Sequence, residues 1–449
     1  MPPDLSRPES LLTLPVKPLT LRLALPGFVS MAVCGACALA EALFLSGTPL
    51  APAVSAGYSL LLLFQTIGFT LGTGAGSVVS RSLGGGKTQE AEGILFAAPA
   101  AALLASLCIA VPGLLFSKFC FSLLGLPEDT LSACRPYLLA LLACGPLLCL
   151  HLVLTSLMRA QGRTAPAALS ALPGALLGAA ALFLLFPFLG VWAALAAVLL
   201  REGLTLLLAL FFSFRDKMLL RPRASAFRPA VLGRVFCAGL PTLFRQGAAC
   251  LCSILLNRTC AQFGTPVLVG MGLAVRTSAL VSACVIGFGQ GLQPVCGTNF
   301  GAGQLGRCQE AYSFCQKITF AALFPAGLLL FGQAVPLLRL FGAEEAAVQF
   351  GASCLRAQSR AFYAQGALVL MTVLTQSMGL TTRASFIAVS RQAFFLPLLL
   401  ALPRWMGQNA LIFSQSAADL LALFFSFLLT RGLFSDSSQQ KKAALRRSM

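Results

Sequence analysis

Leu83-Gly84-Gly85-Gly86 and Phe300-Gly301-Ala302-Gly303 each close a long apolar run, and they stand 217 residues apart, counted from Gly84 to Gly301. The spacing recurs along the chain. Leu124-Gly125-Leu126-Pro127-Glu128 answers Phe341-Gly342-Ala343-Glu344-Glu345, with Gly125 and Gly342 again 217 apart. Gln161-Gly162 answers Met378-Gly379 at the same offset, and Leu25-Pro26 answers Leu240-Pro241 at 215. Three loops in one register mark an internal duplication, so the chain is read as two halves built alike.

What lies between the loops sets the solvent. Of 449 residues 57% are hydrophobic and only 10% charged, and the mean hydropathy is +0.85. Soluble domains are nearer a quarter charged. Apolar runs of bilayer length recur from end to end. They predict helices over 21–45, 53–79, 94–117, 136–158, 165–188, 190–214, 235–260, 266–296, 313–335, 352–377, 384–405 and 409–431. The fold class is therefore an all-α integral membrane protein of twelve transmembrane helices in two six-helix lobes. An even number of helices per half makes the repeat parallel, about an axis along the membrane normal. The expected divisions are an N-terminal tail 1–20, an N-lobe 21–214, a basic linker 215–234, a C-lobe 235–431 and a C-terminal tail 432–449.

The net charge of +18 would suggest nucleic acid on a soluble protein, but here the charges sit between apolar runs and read as topology. The linker alone carries Arg215, Lys217, Arg221, Arg223, Arg228 and Arg234, and the last tail carries Lys441, Lys442, Arg446 and Arg447. The opposite loops hold few basic residues (Lys118, Arg135, Arg339, Arg404), matched in number by the acids Glu128, Asp129, Glu344 and Glu345. By the positive-inside rule both termini are expected in the cytoplasm of a multi-pass inner-membrane protein. The cysteines, many of them mid-helix (Cys34, Cys37, Cys108, Cys144, Cys250, Cys252), read as small apolar packing residues kept reduced.

Several motifs carry a family resemblance. Gly72-Thr73-Gly74-Ala75-Gly76-Ser77, followed by Ser80-Arg81-Ser82-Leu83, resembles the end of the second helix in MATE (multidrug and toxic compound extrusion) transporters. The stretch from Gly287-Phe288-Gly289-Gln290-Gly291 through Gln293-Pro294 to Thr298-Asn299-Phe300-Gly301 resembles the matching signature of the second lobe. Arg159-Ala160-Gln161-Gly162 and Gln376-Ser377-Met378-Gly379 are similar to the family's fourth and tenth helix ends. The resemblance covers nearly the whole chain and is nearest the bacterial MepA-like branch. Read on their own, the alternating glycines are surfaces for close helix packing. They follow no strand and lack the Lys-Ser/Thr of a P-loop, so ATP is not expected to drive the protein.

Ionisable groups in the membrane are the stronger functional signal, because each needs a cavity or a partner. Glu41 stands where the resemblance implies an acidic residue in helix one that couples transport to a cation or proton. The family's fifth helix usually offers an Asn and, four residues on, an Asp; here Gly178 and Leu182 stand there. That loss of oxygens favours protons over sodium. Arg201-Glu202 lies near mid-depth in helix six. Neighbours on a helix diverge by about 100° and are not expected to pair with each other. Asp419 in helix twelve matches a family acid. His151 is the single histidine and cannot build a site alone.

The expected reading is a monomeric secondary antiporter that exports small amphipathic compounds against protons. Glu41 and Glu202 serve coupling, and Gln65, Asn257, Arg258, Arg276, Gln290, Tyr363 and Gln365 are candidates for the substrate cleft. By repeat symmetry Arg258 is the counterpart of Glu41, and the two are expected to pair when the outer cleft closes. The alternative is a lipid-linked precursor or polysaccharide flippase of the same superfamily, suggested by the second-lobe arginines. No catalytic residue, metal ligand or cofactor is expected. A membrane-embedded enzyme would need a convergent set of His, acid and Ser, and the chain has no His-Glu-x-x-His or Gly-x-Ser-x-Gly.

Overall fold

The computed structural model describes residues 8–46, 51–118, 128–215, 222–226 and 229–434. The C-terminal basic residues, part of the linker and the Leu124–Pro127 loop, with its Gly125 match to Gly342, lie outside the described residues. In the first half the long helices are α1 (Val16–Ser46), α2 (Ala51–Gly84), α3 (Thr88–Leu115), α4 (Glu128–Ala160), α5 (Thr164–Leu189) and α6 (Val191–Arg215). In the second they are α7 (Pro229–Ala261), α8 (Thr265–Gly301), α9 (Leu305–Gly332), α10a (Glu345–Ser359) with α10b (Phe362–Ser377), α11 (Thr381–Ala401) and α12 (Asn409–Thr430). Among the described residues there is no strand. Proline inside so many of these helices is tolerated because in lipid a freed carbonyl finds a partner in the neighbouring helices.

Among the described residues eleven helices are long and apolar enough to cross a bilayer. The tenth position is different. The expected continuous span 352–377 is broken at Arg360-Ala361 into pieces of 15 and 16 residues. Side chains at the break are drawn sideways: Gln358 bonds Ser278 of α8 and Gln415 of α12, and Gly327 of α9 packs on the Ser359 carbonyl. The predicted N-terminal tail is also partly folded. A short helix covers Pro8–Thr13, and α1 starts at Val16 with Val16 and Leu19 buried.

The duplication is written into the backbone. Gly86 and Gly303 (φ 72° and 80°), Gly162 and Gly379 (77° and 75°), and Gly190 and Gly407 (52° and 58°) are pairs 217 apart, all in the left-handed region. A side chain is strained there, so the same turn recurs with the same residue. Each lobe has its own apolar core. One gathers Phe64, Leu138, Leu141 and Leu182, and the other Leu256, Met271, Leu355 and Leu399. Helix α1 straddles the two. Its foot (Val16, Leu19, Leu23) packs with Leu292, Cys296 and Leu374 of the second half, while its head sets Phe44 edge-on against Phe183 and Phe186 of α5.

The lobes meet along glycine stripes. Ala24 faces Gly291, Gly27 faces Gly287 and Gly35 faces Leu280, an antiparallel register of α1 on α8. On α2, a methyl group at Gly74 would overlap the Val235 carbonyl of α7, and one at Gly84 the Thr298 carbonyl of α8. Small residues thus bring the backbones together. Polar bonds finish the layer: Thr73 Oγ1 to Thr242 Oγ1 at 2.9 Å, Gln293 Nε2 to the Thr73 carbonyl at 3.2 Å, and Gln376 Nε2 to the Ala238 carbonyl at 2.8 Å. Arg81 Nη1 donates to the carbonyls of Gln376 and Ser377, both at 3.1 Å, at the C-terminal end of α10b, where a cation is favoured. Most of these contacts lie towards the side on which the described chain begins at Pro8 and ends at Phe434, and there the lobes are packed together.

Candidate functional site

The N-lobe holds a four-membered ionic cluster inside the membrane. Arg201 of α6 reaches α1, with Nη1 2.9 Å from Glu41 Oε2. Its Nε is also 3.1 Å from Glu202 Oε1. The other oxygen of Glu202, Oε2, faces Nδ1 of His151 on α4 at 3.3 Å. The expectation that Arg201 and Glu202 do not pair is therefore corrected. Nε sits close enough to the backbone to fold back on the neighbouring carboxylate, while the far end of the guanidinium remains free to cross to α1. The Glu202 side chain is 5% exposed and that of Glu41 16%, so only Glu41 offers appreciable access to water.

Helix α5 makes room for this arrangement. A Cβ on Gly178 would stand 2.8 Å from Arg201 Cβ and 3.1 Å from the Ala197 carbonyl. Where the resemblance implied side-chain oxygens, the chain has a glycine that admits a guanidinium stem and a buried leucine, Leu182, in the core. A tethered cation thus replaces potential ligands of a free one. The cluster thus sets two carboxylates against one guanidinium, with an imidazole as its fourth member.

In the C-lobe counterpart the guanidinium that meets the acid has a second cation beside it, Arg245 of α7 lying close to Arg391. Asp419 stands 217 residues after Glu202, is equally buried, and is held by Arg391 of α11. One acid meets one guanidinium. Neutral groups tie α8, α10a, α10b and α12 of this lobe together, through the Ser278–Gln358–Gln415 chain and through Gln365 Nε2 to Ser282 Oγ at 2.6 Å.

Of the predicted coupling residues, Glu41 and Glu202 are brought together by Arg201. The predicted cleft residues are not gathered into one place. Gln365 is taken up by Ser282, and the Tyr363 ring packs edge-on to Phe320 of α9. Gln65 is half-buried on α2. Gln290 is half-buried, and its Oε1 is buried with no hydrogen-bond partner among the described residues. Asn257 and Arg258 are exposed near the end of α7, and in this state Glu41 is paired with Arg201 rather than Arg258. Arg276 is exposed and extends the α8 stripe that packs on α1, beyond the last close contact of Gly35 with Leu280. Arg360 stacks over Phe331 of α9 at 4.9 Å.

Sequence reasoning passed over Arg201 as the hub and His151 as a member. Both were visible as ionisable residues in apolar helices; what was missing was that α1, α4 and α6 converge. Cys34 and Cys37, a Cys-x-x-Cys spacing on α1, are free and half-buried two turns and one turn below Glu41.

Known proteins agree with this architecture. The chain is 21% identical to the multidrug export protein MepA of Staphylococcus aureus strain N315 over 408 residues, 88% of this chain and 89% of that one. It is 21% identical to MepA of Staphylococcus haemolyticus strain JCSC1435, over 87% of each. Among solved structures it superposes with a TM-score of 0.86 on a multidrug resistance MATE family transporter of the MOP superfamily in an outward-facing conformation, at 20% identity, covering 95% of this chain and 97% of that one. It superposes at 0.88, with the same identity and coverages, on a MOP superfamily transporter from Pyrococcus furiosus described as having a binding pocket of reversed polarity. The MatE family model matches residues 42–184 and 241–400, one segment in each lobe, and the chain belongs to this family of membrane transporters.

Proposed function

We propose that the chain is a secondary antiporter of the cell membrane, exporting amphipathic organic compounds in exchange for protons. The two lobes would rock about a central cleft to give alternating access. The observation that carries this reading is the Glu41–Arg201–Glu202–His151 cluster, in which two carboxylates share one guanidinium. Two acids that share one guanidinium can accept either a proton or a cationic group of a substrate, and the two exclude each other. Mutual exclusion at one site is what obligatory exchange requires. Arg201, permanently charged and already seated against both acids, favours protons over sodium as the coupling ion. The name of the staphylococcal relatives supports export of drugs.

With both termini in the cytoplasm, as the basic linker argues, the side on which the lobes are packed together faces the cytoplasm. A single chain would complete the transport cycle, because each lobe has its own core and the cluster draws on one lobe alone. The second reading, a lipid-linked precursor or polysaccharide flippase, draws support from Arg258 and Arg276, exposed without a carboxylate partner among the described residues. Expression in a drug-hypersensitive bacterial strain tests the first reading. Raised resistance to several unrelated amphipathic cations, lost in Glu41→Gln, is the expected result; no change for any compound would favour the flippase.

A further inference from the structure

The second-lobe signature ends in Thr298-Asn299-Phe300-Gly301, and the cluster described above gives Asn299 no role. Asn299 is completely buried. Its Nδ2 donates to the Leu11 carbonyl at 3.2 Å, and its Oδ1 accepts from Arg307 Nε at 2.8 Å. Arg307 Nη2 in turn donates to the Leu14 carbonyl at 2.6 Å and the Leu11 carbonyl at 3.5 Å. These carbonyls belong to the last turn of the short helix Pro8–Thr13 and the residue just beyond it, where no intrahelical donor remains. The C-lobe thus caps the end of the N-terminal helix with an amide and a guanidinium.

The same helix also touches the N-lobe. Leu11 is 1% exposed, and it lies against the glycine turn between α4 and α5, where a Cβ on Gly162 would stand 3.2 Å from Leu11 Cδ2. The short helix packs on both α2 and α8. Six residues ahead of the first membrane helix therefore cross the seam between the lobes, on the side where that seam is shut.

We propose that residues 8–14 are a strap that locks the terminus side closed, with Leu11 as its pin and Asn299 and Arg307 as its clasp. Opening that side separates the α4–α5 turn from the α8–α9 turn. The strap can follow only one of them, so Leu11 must leave its pocket or the clasp must let go. Contacts made in one state and lost in the other bias the equilibrium towards the first. The strap therefore sets how often the terminus side opens. It also explains why an amide stands at position 299: it satisfies a carbonyl on one side and a guanidinium on the other at once.

The proposal rests on the alternating-access reading. Its test needs no substrate and no gradient, so a chain that exports nothing would still show the effect. Hydrogen–deuterium exchange is followed by mass spectrometry on the full chain in lipid nanodiscs, comparing the parent with Leu11→Ser and Arg307→Gln. In both variants amide exchange over 73–84, 235–242 and 293–303 should quicken by about tenfold, while exchange in α11 and α12 stays as in the parent. Arg307→Lys, which keeps a cationic donor, should recover most of the protection. If Leu11→Ser quickened exchange throughout, Arg307→Gln alone would decide. Faster exchange confined to 8–16, with the interlobe layer unchanged, would overturn the strap.

Discussion

Glu202 and Asp419 occupy the same position in the two halves, yet the charged groups around them differ. Asp419 has a guanidinium to itself. Glu202 shares one with Glu41 and leans on an imidazole for the rest. Duplication gave both lobes a buried acid at this depth, and the lobes then diverged in how it is neutralised. The C-lobe pair has no second acid to share its guanidinium, and Arg245 adds positive charge beside it, which fits a structural tie better than a proton site. The N-lobe cluster sets two acids on one guanidinium, the arrangement proposed above to take up and release a proton. The asymmetry also follows the walls around each site. Gly178 lets Arg201 lie between two acids, whereas Arg391 approaches Asp419 from the next helix along.

The largest consequence concerns the arginines. Arg201→Ala strands two buried carboxylates and Arg391→Ala only one. Removing one partner of a buried pair costs about 3–5 kcal/mol. Thermal unfolding in detergent should show both variants destabilised, Arg201→Ala more so. Equal losses would mean that Glu41 does not depend on Arg201. Next comes function. Glu41→Gln should keep its fold and lose the coupling of substrate to proton, a factor of about 5–150 for typical linked sites. Asp419→Asn should lose stability but keep the coupling; a vesicle assay of pH-dependent efflux separates them.

A neutral link should matter less. Gln358→Leu breaks the Ser278–Gln358–Gln415 chain at a cost of about 1–3 kcal/mol for the groups left unpaired. Its effect on the melting temperature should be the same at pH 6 and pH 8, since no charge is involved; a pH-dependent effect would place an ionised group in the C-lobe network. The smallest effect lies at the exposed start of α10a. Arg339, 2.7 Å away, and Gln349 hold the Glu345 carboxyl below the usual carboxylate range. A depressed acid adds stability above its unfolded pKa, and that stability is lost as pH falls through the folded value. Glu345→Gln should melt slightly below the parent at pH 7 and level with it at pH 3. Solvent keeps the difference small.

Much of this architecture was legible in the chain. The 217-residue offset, read from Gly84, Gly162 and Gly301, located turns whose positive φ values now explain the glycines. The break at Arg360-Ala361 was not legible, because Gln358 bonds to partners 80 residues before it and 57 after it. Arg201 was seen as a costly charge, but its partner lies 160 residues away on α1. Hydropathy reports depth in the membrane and says nothing of which helices touch. Leu11 and Leu19 were lost to the tail for a related reason: their burial depends on the second half of the chain.

The central claim is that the N-lobe cluster, through Glu41, exchanges the proton and the Asp419–Arg391 pair does not. Inverted membrane vesicles charged with a proton gradient and loaded with a pH-sensitive dye test it directly. Ethidium, an amphipathic cation, is added to vesicles carrying the parent, Glu41→Gln or Asp419→Asn. The account predicts ethidium-driven proton release in the parent and in Asp419→Asn and none in Glu41→Gln. Undiminished release from Glu41→Gln would contradict it.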